Sequence, residues 1–528
     1  MTVADTVEAQ VRTDVQSITS TSRQSQLTIW LEGCGAGILL MLQEIWWNIP
    51  PYHTDLYHRF LPMNTVFGGL AIDLILACLL CTGVIWLINR FDPTSKTPLW
   101  AVIAILLLIQ TSKSIVRIGL WYGISKRFGA LVTLIMLAFI VGAFLVWLLK
   151  RSWYGRKAVP AFRGFLAALG ICILWMLPQL IYMAIRPEPH DIQKFVRAVP
   201  PARVPQRRIV WILFDELSQD QVFDHRQPGM PLPQLDQFRS QSVMFSDMQP
   251  AGYFTEDVVP SLLWGKVVAE IRSDLRGNLS VETSKRWQRF PAQQTLFADA
   301  QREGWSTGTA GWYNPYCRTY GASLDWCAWV ARFSIAGNYL PEKPLLWNIS
   351  APLIRDELPN SVEHSKDYTD LMRWSHELID DEKIGFVFLH LPLPHPGGFY
   401  DPKTGKLGVA GTYLGNLVLT DLSLGQLMQW ISETKLASKT TVIVCSDHSW
   451  RVPQWRSRFS QEEEKAADGK FDTRPVLMVH FPGEKTPEVV SKPFPAVNEH
   501  DLIESLLHQP MTATGLKDWA RGKATHLQ

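Results

Sequence analysis

The sequence carries almost no excess of either charge. Its 51 Lys and Arg stand against 49 Asp and Glu, a formal net charge of +2. A nucleic-acid binder needs a basic surplus to replace counterions along the phosphates, so no nucleic-acid partner is expected. Cysteine is scarce, with 7 in 528 residues, and none of the spacings is that of a zinc–cysteine site. No internal repeat is present. No small-residue cleavage site follows the first apolar run, so a removable signal peptide is not expected.

What the chain does have is unevenly spread. Residues 27–186 are strongly apolar, and residues 209–528 read like a soluble protein. The first part holds five apolar runs, at 27–49, 64–89, 98–121, 128–149 and 162–185. Each approaches or exceeds the ~20 residues that cross a hydrocarbon core as a helix. The loops set an orientation. Arg12, Arg23, Arg90, Lys96, Lys150, Arg151, Arg156, Lys157 and Arg163 fall on one side, against Arg59, Lys126 and Arg127 on the other. Nine cations against three place the amino terminus in the cytoplasm and everything after the fifth span outside it. Residues 1–26 then form a polar cytoplasmic tail, and residues 187–208, rich in proline, a stiff linker.

Four cysteines, Cys34, Cys78, Cys81 and Cys172, fall in apolar runs and are expected to pack there. Cys445 sits in an apolar strand, where a thiol is buried and inert. Cys317 and Cys327 flank "RTYGASLDW" in the exported part, where an oxidising compartment permits a disulfide.

The segment 209–528 alternates short apolar strands with helical patterns. "RIVWILFDE", "KIGFVFLHLP", "KTTVIVCSDH" and "RPVLMVHFPG" are the strands, and "YLGNLVLTDLSLGQLMQWISETK" is one of the helices. Near-continuous apolar strands between helices indicate an α/β domain, its mostly parallel sheet covered by helices on both faces. Ligands collect beyond the carboxyl ends of such strands. Three of the four strands end there in acids or histidines, at Asp215 and Glu216, at His390, and at Asp447 and His448.

Carboxylates with a neutral imidazole suit one divalent metal, zinc or manganese. Such an ion lowers the pKa of a bound hydroxyl and polarises a phosphoryl oxygen. Thr255, in "AGYFTEDVVPSLLWGK", supplies a hydroxyl, and Pro260 is expected near the first turn of a following helix. Singly, these pieces are a solvated turn, a helix cap and a common tripeptide. Their order along the chain is the specific signal.

That order resembles the alkaline phosphatase/sulfatase superfamily, and within it the membrane-anchored phosphoethanolamine transferases and the phosphoglycerol transferases similar to lipoteichoic-acid synthase. The resemblance implies a five-helix transmembrane bundle followed by an alkaline phosphatase-like catalytic domain outside the bacterial inner membrane. It implies Thr255 as nucleophile and as a metal ligand. It places the acidic ligand on Glu216, with Asp215 as an alternative or second ligand, and the Asp-His pair on Asp447 and His448. His395, in "HLPLPHPGG", would hold the substrate phosphate, with Arg451 a further phosphate partner. Tyr413, Asp421 and Gly425 would be structural. The partners implied are a membrane phospholipid donor and an envelope lipid or glycan acceptor.

The pattern also departs from relatives. Thr473 stands where many members have a histidine two residues before the proline of the last strand, which favours one metal over two. No C/S-x-P-x-R context surrounds residue 255, so the sulfatase nucleophile is missing. "DELSQD" replaces the Gly-Glu-Ser-Ala-Arg signature of phosphoethanolamine transferases.

His390 and His500 read as structural, and His364 and His376 as solvated. Within the spans, Glu44, Asp73, Lys113 and Arg117 fall at similar depth towards the outer side. That predicts a polar cluster, either a buried ion pair or a cavity for a lipid head group. Two other readings stay open: a hydrolase that passes the phosphate to water at the same site, and a non-catalytic envelope protein.

Overall fold

A computed structural model describes residues 26–48, 64–92, 99–121, 135, 142, 157–185, 192–273, 278–331, 344–347, 349, 360–469 and 471–524. The chain divides into two compact units. The first is drawn mainly from residues up to 187, and the second from 188–334 and 357–528.

In the first unit two helices, Asn64–Phe91 and Val159–Ile185, are long and apolar enough to cross a membrane, and Gln26–Leu40 and Leu99–Ile115 are shorter apolar helices. The expected run at 128–149 lies outside the described residues except for 135 and 142. Glycine lets two of these helices touch. A Cβ on Gly35 would lie 2.0 Å from the Leu166 carbonyl oxygen, and one on Gly170 would lie 1.9 Å from that of Leu31. At the same contact Arg163 Nε donates to Glu32 Oε1 at 2.8 Å, and the guanidinium covers the Trp100 ring at 5.0 Å. Glu32 was not among the expected polar residues. Of those that were, Asp73 is buried, Glu44 is half-buried, Lys113 is exposed, and the side chain of Arg117 lies outside the described set.

The second unit is built on a nine-stranded sheet. Its strands are β1 (Lys194–Val196), β2 (Arg208–Phe214), β3 (Val243–Phe245), β4 (Thr307–Trp312), β5 (Trp326–Val330), β6 (Phe386–Leu391), β7 (Thr440–Ser446), β8 (Leu477–His480) and β9 (Glu488–Val490). They lie side by side in the order β1-β5-β4-β6-β2-β7-β8-β3-β9. The five strands from β5 to β7 are mutually parallel. β1 and β8 run antiparallel to their inner neighbours. The fourth strand expected from the sequence is therefore antiparallel, and part of the expected linker, Lys194–Val196, is an edge strand.

All seven residues of β2 are buried, because helices cover both faces of the sheet. Val210, Ile212 and Phe214 point into a core shared with Leu371, Leu378, Leu417 and Leu427. These come from the long helices Asn360–Asp380 and Tyr413–Glu433. Alternation sends Trp211 the other way, onto Phe388 at 4.5 Å, where Phe297 of the helix Leu296–Arg302 covers Phe386 and Phe388. An arginine opens this buried strand. Arg208 is tolerated because its guanidinium donates to the carbonyls of Ile379 at 2.6 Å and Leu378 at 2.8 Å, which a helix end leaves unsatisfied. On the same side as Trp211, Glu499 begins the helix Glu499–His508 with its carboxyl buried against Cys445 and Trp211. Cys445 is buried as expected and accepts from Trp211 Nε1 at 2.9 Å.

Candidate active site

Strand register does most of the assembly. β2 and β7 pair with Phe214 opposite Ser446, so the next residues, Asp215 and Asp447, leave the sheet side by side. On the other flank Leu391 of β6 sits opposite Phe214, and Asp215 N donates to its carbonyl at 3.1 Å. All of this lies at the carboxyl edge of the parallel strands.

Thr255 enters from a different element. It is the first residue of the helix Thr255–Trp264, preceded by Phe254 in an extended conformation. Pro260 is therefore inside the helix, in its second turn rather than its first. Thr255 Oγ1 lies 3.3 Å from Asp215 Oδ2 and 3.2 Å from His448 Nε2. His448 Nε2 is 3.0 Å from Asp447 Oδ2 and 3.9 Å from Asp215 Oδ1. The structure thus brings Asp215, Thr255, Asp447 and His448 into one buried pocket.

Each of these groups is aimed by a neighbour. Asp447 Oδ1 accepts from the backbone N–H of His448 at 2.8 Å and of Glu216 at 3.1 Å. Its other oxygen, Oδ2, is turned inward without a hydrogen-bond partner, as is Asp215 Oδ1. His448 Nδ1 donates to the Ser449 carbonyl at 3.1 Å, which leaves the lone pair of Nε2 facing the pocket. Burial pushes the Asp215 carboxyl well above the usual range, and the charges of Asp447 and Glu216 add to the effect.

Two acids and an imidazole with inward lone pairs and no counter-charge between them fit a divalent cation. Asp215, Asp447 and His448 can each offer an atom within 4.8 Å of the others. A tetrahedral ion with bonds of ~2.0–2.1 Å separates its ligand atoms by roughly 3.4 Å, close to the spacings above.

Glu216 and Arg451 meet each other in the pocket. The sequence pointed Glu216 at the metal and Arg451 at the substrate phosphate, and the structure joins them to each other. Arg451 Nε donates to Glu216 Oε1 at 2.8 Å and Nη2 to the same oxygen. The backbone N–H of Arg451 donates to Oε2 at 3.0 Å. Trp455 Nε1 adds a fourth bond, to Oε1 at 2.9 Å. The cause is in the backbone: Glu216 has φ +64°, a strained conformation for a residue with a side chain. The Tyr413 hydroxyl steadies it by donating to its carbonyl at 2.9 Å. Tyr413 is thus structural, as is Asp421, whose Oδ1 accepts from Leu235 N at 2.8 Å.

His395 lies at the pocket edge between Trp312 and Trp455, each ring 5.3 Å away, and burial, with help from Arg451, keeps it neutral. His390 is fully buried. Its Nδ1 is 2.7 Å from the Tyr316 hydroxyl, and its Nε2 is 4.0 Å from Asp215 Oδ2. The sequence made it a structural residue at a strand end, and nothing local in the sequence announced Tyr316 as its partner. His364, expected to be solvated, is buried against Trp312, His395 and Phe399. His376 is half-buried, its ring stacked on Trp430 at 4.3 Å. Cys317 and Cys327 are joined in a disulfide, directly after Tyr316.

The sulfatase family model matches residues 207–509, a stretch that contains every residue of this pocket. Among solved structures, lipoteichoic acid synthase LtaP from Listeria monocytogenes is similar at 12% identity, over 60% of this chain and 75% of its own, with a TM-score of 0.38. The phosphonate monoester hydrolase of Agrobacterium radiobacter is similar at 14%, over 57% and 74%, with a TM-score of 0.37. The PsFucS1 sulfatase from Pseudoalteromonas sp. is similar at 14%, over 58% and 68%, with a TM-score of 0.41. No curated protein sequence matches the chain.

Proposed function

The chain belongs to the sulfatase family, and from that premise we propose that it is a metal-dependent phosphotransferase with Thr255 as nucleophile. The observation that carries this reading is the convergence of the Thr255 hydroxyl with Asp215, Asp447 and His448. Bound there by Asp215, Asp447, His448 and Thr255, a zinc or manganese ion would supply Lewis acidity to the hydroxyl and to a phosphoryl oxygen. The substrate class is a phosphodiester of a membrane lipid.

Thr255 Oγ1 attacks phosphorus, and its proton passes to Asp215 Oδ2 at 3.3 Å. The bond to the diacylglycerol oxygen breaks, and that oxygen takes the proton held by Asp215 as it leaves. The head-group phosphate stays on Thr255 as an ester until a hydroxyl of an envelope lipid or glycan attacks it, its proton passing by way of Asp215 to the departing Thr255 oxygen, which restores the threonine. The helix that starts at Thr255 contributes its amino-terminal dipole to the phosphate. His395, neutral at the pocket edge, donates a hydrogen bond to a phosphoryl oxygen. Tyr253 and Phe254, exposed just before the nucleophile, border the entrance.

We read the first unit as a five-span anchor in a bacterial inner membrane, with the second unit on the periplasmic side. The uneven loop charges and the disulfide Cys317–Cys327 support that placement. Intact mass of the purified protein after incubation with phosphatidylethanolamine or phosphatidylglycerol tests the reaction. A head-group phosphate adduct on wild type, absent in Thr255→Ala, is expected. Turnover of simple phosphodiesters without any adduct would favour the hydrolase. No adduct, no turnover and no metal would refute an enzymatic role.

A further inference from the structure

The pocket contains a second set of ligand-type atoms, which overlaps the first. Asp215, Glu216 and His395 each place one donor atom within 4.8 Å of the others. His395 Nε2 is 3.9 Å from Glu216 Oε1, and His395 Nδ1 has no hydrogen-bond partner. This set shares Asp215 with the first and would be a place for a second cation. It is filled by the chain itself. The Arg451 guanidinium makes two bonds to Glu216 Oε1, and the Arg451 backbone N–H takes Oε2. Trp455 supplies another donor to Oε1. Both oxygens of Glu216 are therefore engaged, and the guanidinium is itself buried, next to a fully buried carboxylate.

We propose that Arg451 is a tethered cation occupying a second cation site formed by Asp215, Glu216 and His395, and that it restricts the centre to one divalent metal. The inference rests on the metal-dependent reading above and concerns how that reading is enforced. Charge balance supports it. Asp215, Glu216 and Asp447 are all fully buried, three negative charges that must be compensated where water cannot do it. One guanidinium and one divalent ion supply three positive charges. A second divalent ion beside Arg451 would leave two in surplus and would find no free oxygen on Glu216. Removing the guanidinium uncovers one negative charge and frees the lone pairs of Glu216 together. A guanidinium cannot be deprotonated in a protein or extracted by a chelator, so this part of the positive field is permanent while the metal exchanges.

The test counts metal ions. Full-length protein in detergent is stripped with chelator, then titrated with zinc or manganese by calorimetry, with metal content measured by mass spectrometry. Wild type is expected to bind one ion per chain and Arg451→Met two. The double variant Arg451→Met/Glu216→Gln, which removes both charges of the pair and so keeps the pocket balanced, is expected to return to one, with an affinity within threefold of wild type. Two ions in wild type, or one ion in folded Arg451→Met, would overturn the inference and leave the metal-dependent reading standing. If Arg451→Met does not fold, the double variant decides. Retention of one ion supports the inference, and loss of metal makes Glu216 a ligand of the first ion and overturns it. A wild type that binds no metal would instead remove the underlying reading.

Discussion

Replacing Glu499 with glutamine is expected to flatten the pH dependence of stability. Glu499 is fully buried, and burial pushes its pKa from 4.5 up to about 8, against smaller opposing effects of the Cys445 thiol and the Trp211 N–H. A raised acid favours folding while it is protonated. Its contribution is complete below pH 4.5 and is lost as pH rises from there through about 8, because the unfolded chain releases the proton first. Each pH unit in that window costs about 1.4 kcal/mol, which sums to roughly 3–6 kcal/mol across it. Glutamine keeps the shape and never ionises. The stability of full-length wild type and Glu499→Gln in detergent is compared by urea titration at pH 5, 6, 7 and 8. The variant's advantage should grow by about 1.4 kcal/mol per unit, and the difference cancels groups common to both proteins. A difference independent of pH would refute the reasoning, because it would mean that Glu499 is solvated or paired.

Other expectations follow from single contacts. Cys317 and Cys327 are 10 residues apart, so replacing both with serine should cost about 3 kcal/mol by loop entropy. A thermal midpoint unchanged in the variant would count against this. Tyr413→Phe removes the buried hydrogen bond to the Glu216 carbonyl and should cost about 1–2 kcal/mol, read by the same urea titration, with weaker metal binding as the strained turn relaxes. Gly35→Ala should lower the yield of monodisperse protein, because its methyl would meet the Leu166 carbonyl. Gly83→Ala, where nothing lies within 4 Å, should not. Equal yields would show that the helices do not touch as described.

Much of the pocket was legible because its parts obey strand chemistry. Asp215 and Asp447 follow apolar strands directly, and parallel pairing with Phe214 opposite Ser446 joins what the sequence separates. Thr255 was readable from its place between those strands, although the helix begins five residues earlier than Pro260 suggested. The exchange between Glu216 and Arg451 was not legible. It goes with a positive φ at Glu216, and no spacing rule predicts such a residue. His364 was misread for a related reason. Its helix has polar neighbours on both sides, and only the packing of Trp312 and Phe399 shows that this position faces inward. The Lys194–Val196 strand was hidden by surrounding prolines, since its partner, Trp326–Val330, is more than a hundred residues away.

The strand order also sets a timetable for biosynthesis. β3 is made early, yet its partners in the sheet are β8 and β9, near the end of the chain. β2 has one neighbour in β6 and the other in β7. A nascent chain that stops before Thr440 therefore holds half a sheet, an unpaired central edge and an acid pair without its Asp-His complement. Such a chain cannot become competent piece by piece. It must be kept from sticking to other strands until the segment from Thr440 onward emerges, and a truncated product is expected to be insoluble rather than merely inactive.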